Sequence, residues 1–383
     1  MSTQAYCDGF CPRMAAGEVL VAFTERGLSG CRRIPSLSRT SAYVAPPRDL
    51  RLRQWVASEP FVSEWKDGGM RIGMVLGGGG LTGGAFHAGV LSALADAASW
   101  DARDADVMVG TSVGSITATS LRVGISPADL LRRQLGQPLS RASEQLVARM
   151  RGGAGDFPRM QGRIRPAAPH LLKMFARSPG SANLGKLAAA TLPEGRTSTE
   201  SISQSMSALC LGEWPQPMPW ITALRLTDGE RVVFGRDMAE SSTVAIGSAI
   251  AASCAIPGYF APVVIDGARY VDGGTASACN ADVLVDEDVD AVIVSAPMAI
   301  HSGPRWAADA ILRRAIRRQV NKELALLRKS DKQVFLFAPT EHDAAVMGAN
   351  PMSGGKAAAV AKSAHRSALA RISTDSRLRS LRT

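Results

Sequence analysis

A serine stands at the centre of a G-x-S-x-G pentapeptide that runs from Gly110 to Gly114, with Ser112 in the middle. A short apolar run at 106–109 precedes it and a helical run at 113–123 follows it, which is the strand–turn–helix setting that a serine nucleophile requires. Small neighbours let the backbone close around the serine and leave its hydroxyl at the N-terminus of a helix. The pentapeptide therefore predicts a nucleophile, against the alternative of an ordinary turn in a chain with 37 glycines.

A run rich in glycine at 77–84 lies between another apolar run and another helical run. Such a run lets backbone N–H groups converge on an anion, either a nucleotide phosphate or the oxyanion of an acyl-transfer intermediate. Gly78, Gly80 and Gly83 have dinucleotide-fold spacing, but no acidic residue ends a second strand about 20 residues later. No Gly-Lys-Ser/Thr follows, which excludes a P-loop. Because the run precedes a serine elbow, we interpret it as an oxyanion hole.

An aspartate followed by two glycines, Asp272-Gly273-Gly274, closes a strand-like run. Aspartate in this setting is by default a turn residue. It becomes a candidate base because a nucleophilic serine needs a group that accepts its proton. His301 provides an alternative, since the order Ser112, Asp272, His301 is that of a Ser-Asp-His esterase of the α/β-hydrolase type.

Strand-like and helix-like segments alternate after residue 70, which favours a mostly parallel sheet covered by helices. Strands are predicted at 71–76, 106–109, 220–226, 231–234, 263–265, 268–271, 289–295 and 333–338, and helices at 85–98 and 113–123. Asp-Gly pairs at 228–229 and 266–267 predict hairpins. A helix at 306–328 has an apolar stripe of Leu312, Ile316, Val320, Leu324 and Leu327 beside a face rich in Arg and Lys.

Two further regions differ in composition from the rest of the chain. Residues 1–69 are rich in Ser, Arg, Pro and Gly without a sustained period, so we expect a poorly ordered N-terminal extension, with Met70 as an alternative start. Residues 125–219 are irregular, and between Arg149 and Lys186 eight basic residues accompany one acid. This stretch predicts a basic cap-like insertion that contacts lipid, or else a solvated basic surface.

The net charge of +10 favours an anionic partner, with a solvated basic surface as the alternative. Aromatic residues are only 5% of the chain and do not alternate with basic ones, so we expect the partner to be an anionic membrane surface and not a nucleic acid. No apolar stretch reaches transmembrane length and no secretory signal is evident, which predicts a cytoplasmic protein with peripheral membrane contact. Metal ligands do not group at suitable spacing, so we expect no metal and no cofactor. Oligomeric state has no signal in the sequence.

The three motifs occur in the order that is typical of the patatin-like phospholipase family, which the chain resembles over about residues 70–360. The segment ASCAIPGYFAPV at 252–263 also resembles that family's stretch before the aspartate. The resemblance implies that residues 70–383 form a three-layer α/β/α hydrolase domain with a mostly parallel central sheet and a serine nucleophile elbow. It also implies cleavage of carboxylic esters in phospholipids or neutral lipids.

Residue by residue, the resemblance implies that Ser112 is the nucleophile and Asp272 the base of a Ser–Asp dyad that works through an acyl-enzyme. The backbone amides of Gly78, Gly79 and Gly80 would form the oxyanion hole. The glycines that support these motifs are Gly83, Gly110, Gly114, Gly273 and Gly274. The family usually has Arg or Lys where this chain has Thr82, which predicts weaker use of anionic phospholipids and leaves open a catalytically weak lipid-binding or regulatory protein.

Overall fold

The computed structural model describes residues 69–150, 168–177, 184–237, 244–300, 308–379 and 381. Several sequence predictions fall elsewhere. The N-terminal extension, apart from its last residue, lies outside the described residues, as do His301 and much of the basic stretch between 149 and 186.

One sheet of eight strands forms the centre of the described part of the chain. Its strands are β1 (Ile72–Leu76), β2 (Val107–Thr111), β3 (Trp220–Arg225), β4 (Arg231–Phe234), β5 (Val263–Ile265), β6 (Ala268–Asp272), β7 (Ala291–Ser295) and β8 (Gln333–Phe337). Hydrogen-bonded neighbours follow the order β5-β6-β3-β2-β1-β7-β8, and β4 also pairs with β3. Five neighbouring strands run parallel, in the order β3, β2, β1, β7 and β8. β4 and β6 are antiparallel to β3. The predicted mostly parallel sheet and both hairpins are confirmed.

Helices cover both faces of this sheet. They are α1 (Gly80–Ala97), α2 (Val113–Arg122), α3 (Pro127–Gln134), α4 (Arg141–Val147), α5 (Pro169–Arg177), α6 (Leu184–Thr191), α7 (Glu200–Leu209), α8 (Ile246–Ser253), α9 (Ala308–Lys329), α10 (Glu341–Met347), α11 (Ala357–Thr374) and α12 (Ser376–Arg379). β1 and β7 are buried along their whole length because apolar helices pack on both sides.

Two large apolar clusters separate the layers. On the first face, Met74, Met108 and Ile293 of the sheet pack with residues of α1, α2, α8 and α11. On the second face, Val75, Val109 and other strand residues pack with the buried stripe of α9. In that stripe Val320, Leu324 and Leu327 are at most 1% exposed, as the helical periodicity predicts. The structure thus has the three-layer α/β/α architecture.

The pairing around β3 determines where the site lies. β4 occupies one edge of β3 along residues 221–224, so β2 and β6 must share the other edge. On that shared edge Thr111 is paired with Thr222, and Asp272 is paired with the next residue, Ala223. β2 and β6 therefore run towards each other along this edge and meet end to end, because one is parallel and the other antiparallel to β3. This arrangement brings together chain segments about 160 residues apart.

No helix of the described segments is long and apolar enough to cross a membrane. On α9 the basic residues Arg314, Arg318, Lys322, Arg328 and Lys329 are exposed, on the side away from the apolar stripe.

Candidate active site

Ser112 lies at a sharp turn between β2 and α2. Its backbone has φ 55° and ψ −125°, in the left-handed region that non-glycine residues rarely adopt. In this turn α2 approaches the end of β1 closely, which only a glycine at position 114 permits, because a Cβ at Gly114 would overlap the carbonyl oxygen of Leu76. The strain and the close approach hold the Ser112 side chain at the N-terminus of α2, where the helix dipole favours negative charge.

Asp272 is the last residue of β6. One of its carboxylate oxygens accepts a hydrogen bond from the Gly274 N–H at 2.7 Å, and the next turn is tight because a Cβ at Gly273 would overlap Thr222. The side chain is only 5% exposed. Burial raises the pKa of Asp272 from its usual value to about 6, against the opposing effects of the Gly274 N–H and the Ser112 hydroxyl.

The structure brings Ser112 and Asp272 together. They follow the two strands that meet end to end on β3, and the Ser112 hydroxyl lies close enough to the Asp272 carboxylate to lower its pKa. Ser112 is 6% exposed, so both groups lie in a largely dehydrated setting. A carboxylate with a pKa near neutrality beside a serine hydroxyl can accept and return a proton at physiological pH.

The end of α8 connects the two residues. The Ser112 N–H donates to the Ser253 hydroxyl at 2.9 Å, and the Asp272 N–H donates to the Ala255 carbonyl at 3.0 Å. Between them, burial raises the pKa of the Cys254 thiol above its usual range, and the neighbouring Asp272 carboxylate acts in the same direction. Cys254 is therefore a neutral thiol next to Ser112. In the sequence this segment shows only a resemblance to a family and carries no pattern that indicates a role for these residues.

The glycine run packs against the serine turn, since a Cβ at Gly78 would lie 3.5 Å from the Ser112 Cβ. The structure differs from the sequence prediction at Gly78, because its N–H donates to the Ala278 carbonyl at 2.8 Å and is not available to an oxyanion. The N–H groups of Gly79 and Gly80 have no acceptor among the described residues. α1 begins at Gly80, five residues before its predicted start, so these amides lie at a helix N-terminus.

His87, on α1, holds the beginning of the glycine run. Its Nε2 lies 2.7 Å from the Gly77 carbonyl oxygen and its Nδ1 lies 2.8 Å from the Ser295 hydroxyl. Burial lowers the pKa of His87 to about 4, so the ring is neutral at physiological pH, with Nε2 donating to the carbonyl. The peptide that joins Gly77 to Gly78 is thus fixed at both its C=O and its N–H.

The described histidines do not complete a triad. His87 hydrogen-bonds to Gly77 and Ser295, His170 to the Leu226 carbonyl and His365 to Asp96. His342 is exposed on α10. No hydrogen bond joins a described histidine to the serine or the aspartate of the site. His301, which the sequence offered as an alternative partner, lies outside the described residues.

Thr82 is buried at 1% exposure in the first turn of α1. Its N–H and its hydroxyl both donate to the Pro351 carbonyl, at 3.0 and 3.3 Å. A Cβ at Gly80 would clash with Met352 in the same loop. The Thr82 side chain therefore anchors the loop before α11 to the glycine run, and its hydroxyl is engaged within the protein.

Metal-binding groups do not cluster in the described part of the chain: no three His, Cys, Asp or Glu side chains there are arranged to hold an ion. Groups with suitable chemistry at the site include the Ser112 hydroxyl, the Asp272 carboxylate and the N–H groups of Gly79 and Gly80, which have no acceptor in the described part of the chain.

Comparison with known proteins gives one family. The family model described as Patatin-like phospholipase matches residues 74–285, which is more than half of the 383 residues. The match includes the glycine run, the serine turn and the Asp-Gly-Gly turn. No curated protein matches the chain significantly.

Proposed function

The chain belongs to the patatin-like phospholipase family, a family of lipid acyl hydrolases, and we propose that it cleaves carboxylic esters of lipids with Ser112 as nucleophile and Asp272 as base. The observation that carries this proposal is the pairing on β3, which places the strained serine beside a buried carboxyl whose pKa is about 6.

In the first half of the reaction the Asp272 carboxylate accepts the serine proton while Oγ attacks the acyl carbon. The carbonyl oxygen becomes an oxyanion that the free N–H groups of Gly79 and Gly80 and the N-terminus of α2 can stabilise. Collapse of this intermediate releases the alcohol, which takes the proton from Asp272, and leaves the acyl group on Ser112.

In the second half a water molecule attacks the acyl-enzyme. Asp272 accepts one proton from that water as the second oxyanion forms, and the proton returns to Ser112 as the carboxylic acid leaves. A single carboxyl group suffices for both halves because it begins and ends each of them ionised. No histidine is required. Because Asp272 is the proton acceptor in both halves, Asp272→Asn should abolish turnover.

Substrate is proposed to reach the site from an anionic membrane surface, to which the protein binds peripherally. The exposed basic residues of α9 and the net charge of +10 support this part of the proposal.

A catalytically weak lipid-binding protein is the second candidate. Thr82 in place of a basic residue and the 6% exposure of Ser112 favour it.

A neutral p-nitrophenyl ester assay on wild type, Ser112→Ala and Asp272→Asn separates the two candidates. The hydrolase proposal expects turnover in wild type alone, since replacing a serine nucleophile can cost on the order of 10⁶ in kcat. Lipid binding without turnover in any of the three proteins would favour the second candidate. Ser115→Ala, which removes a hydroxyl of α2 that bonds to the Ser112 carbonyl, is a matched control for loss of a nearby serine.

A further inference from the structure

Asn280 lies eight residues after Asp272 and is completely buried. Its side-chain NH₂ group lies within hydrogen-bonding distance of four oxygens: the carbonyls of Ser277 at 2.7 Å and Gly273 at 3.3 Å, and the hydroxyls of Thr111 at 3.1 Å and Thr222 at 3.2 Å. Two protons are thus shared among acceptors on three different segments of the chain. Its backbone is left-handed, with φ 55°, a conformation that asparagine tolerates better than most residues.

These acceptors adjoin both reacting residues. Thr111 directly precedes Ser112, and Gly273 directly follows Asp272. Thr222 is paired with Thr111 across the β2–β3 edge, and their hydroxyls are 2.9 Å apart. The two threonines lie on the second face of the sheet, since Thr222 is paired with Val233 of that cluster. Asn280 therefore connects the ends of β2 and β6 from the second face of the sheet.

Only one of the two orientations of the Asn280 side-chain amide, related by exchange of Oδ1 and Nδ2, satisfies its neighbours. Its Oδ1 accepts from the Arg231 guanidinium at 3.1 Å, and Arg231 also forms two hydrogen bonds with Asp282, at 2.6 and 2.9 Å. A further bond, from the Ala281 N–H to Glu323 at 2.9 Å, ties the same loop to α9. Because Arg231 is only a donor, it fixes the oxygen on its own side and directs the NH₂ group to the threonines.

We propose that Asn280 is a positioning residue for the reaction. By donating hydrogen bonds at the ends of both strands, Asn280 sets the distance between the Ser112 hydroxyl and the Asp272 carboxylate. The proposal rests on the proposed function, because it assigns Asn280 a role through those two groups. A misplacement of about 1 Å in a reacting pair can cost on the order of 10²-fold in rate. Loss of the donors should therefore lower kcat more than it affects substrate binding.

Asn280→Asp is the sharpest variant, because it keeps the shape, the left-handed backbone and the acceptor for Arg231 but replaces two N–H donors by a carboxyl oxygen that can donate at most one proton. We expect kcat for a neutral p-nitrophenyl ester to fall about 100-fold with KM within about twofold, and labelling of Ser112 by a fluorophosphonate to slow by a similar factor. Thr119→Val is the matched control: Thr119 is buried in α2 and its hydroxyl has no hydrogen-bond partner among the described residues.

A second pair of variants decides the question should Asn280→Asp not fold. Thr222→Val removes one acceptor and keeps the side-chain volume, whereas Thr222→Ser keeps the hydroxyl. A fall in kcat in Thr222→Val with recovery in Thr222→Ser supports positioning. Equal kcat in these two variants, or a folded Asn280→Asp with kcat within about threefold of wild type, overturns it. Failure of the proposed function is a different result, since wild type itself would then neither turn over ester nor label at Ser112.

Discussion

Activity should depend on pH through the ionisation of Asp272. Burial raises the pKa of this carboxyl from 3.8 to about 6. A protonated carboxyl cannot accept the serine proton, so kcat/KM should fall as the pH falls through about 6. A single group with this pKa is about 99% ionised at pH 8 and about 9% ionised at pH 5, which predicts a decrease of about 11-fold. With the usual aspartate pKa the same change of pH would cost only about 6%.

The assay is kcat/KM for a neutral p-nitrophenyl ester from pH 4.5 to pH 8.5, read at a wavelength where product absorbance does not vary with pH. Circular dichroism at each pH shows whether the protein stays folded. Glu323→Gln is the matched control, because burial also raises the pKa of Glu323, to about 7, and this acid lies on the other side of the Asn280 loop. Its profile should keep the apparent pKa of wild type.

A rate that stays constant down to pH 4.5 in a folded protein would refute the assignment of a buried, pKa-shifted base. An apparent pKa that disappears in Glu323→Gln would refute its attribution to Asp272.

Three further predictions concern stability, recruitment and position 82. Because folding raises the pKa of Glu323 from 4.5 to about 7, this group lowers the free energy of unfolding as the pH rises through this interval, so wild type should lose more stability from pH 5 to pH 8 than Glu323→Gln, in which the contributions of Asp272 and His87 remain. Urea midpoints at pH 5 and pH 8 measure this, and an equal change in both proteins would contradict it. Binding to anionic vesicles should exceed binding to neutral ones, decrease with added salt, and weaken when the exposed Arg318 and Lys322 are replaced by Gln. Sedimentation with vesicles measures this binding, and salt-insensitive binding would contradict electrostatic recruitment. Thr82→Arg must displace the loop at Pro351. We therefore expect kcat/KM for a phospholipid and for a simple ester of equal chain length to fall by the same factor. A selective gain in kcat/KM for the phospholipid would show instead that position 82 contacts the head group.

The local motifs of the site could be read from the sequence because each depends on residues close together in the chain. The serine turn needs Gly114 where α2 meets β1, and the Asp-Gly-Gly turn needs Gly273 where it meets Thr222. Alternating apolar runs likewise sufficed to predict the parallel sheet and the stripe of α9. In both cases the pattern repeats within a few residues, so no tertiary information was needed.

The relations between distant segments could not be read in this way. Nothing in the local pattern shows that β2 and β6 share one edge of β3, or that the Gly78 N–H is engaged by the Ala278 carbonyl. The roles of Asn280 and Ser253 depend on the same tertiary pairing, since Asn280 donates to Thr111, 169 residues earlier in the chain, and Ser253 accepts from Ser112, 141 residues earlier. Short polar residues of this kind also occur in ordinary turns, and the sequence alone gives them no distinguishing signal.

The central claim is that Ser112 forms an acyl-enzyme with the help of Asp272. Its most direct test is peptide-resolved mass spectrometry of the protein after brief reaction with a fluorophosphonate, carried out on wild type, Ser112→Ala and Asp272→Asn. We predict that the adduct lies on Ser112 in wild type, is absent from Ser112→Ala, and forms far more slowly in Asp272→Asn. An adduct on another residue that survives in Ser112→Ala, or equal labelling of wild type and Asp272→Asn, would contradict the claim.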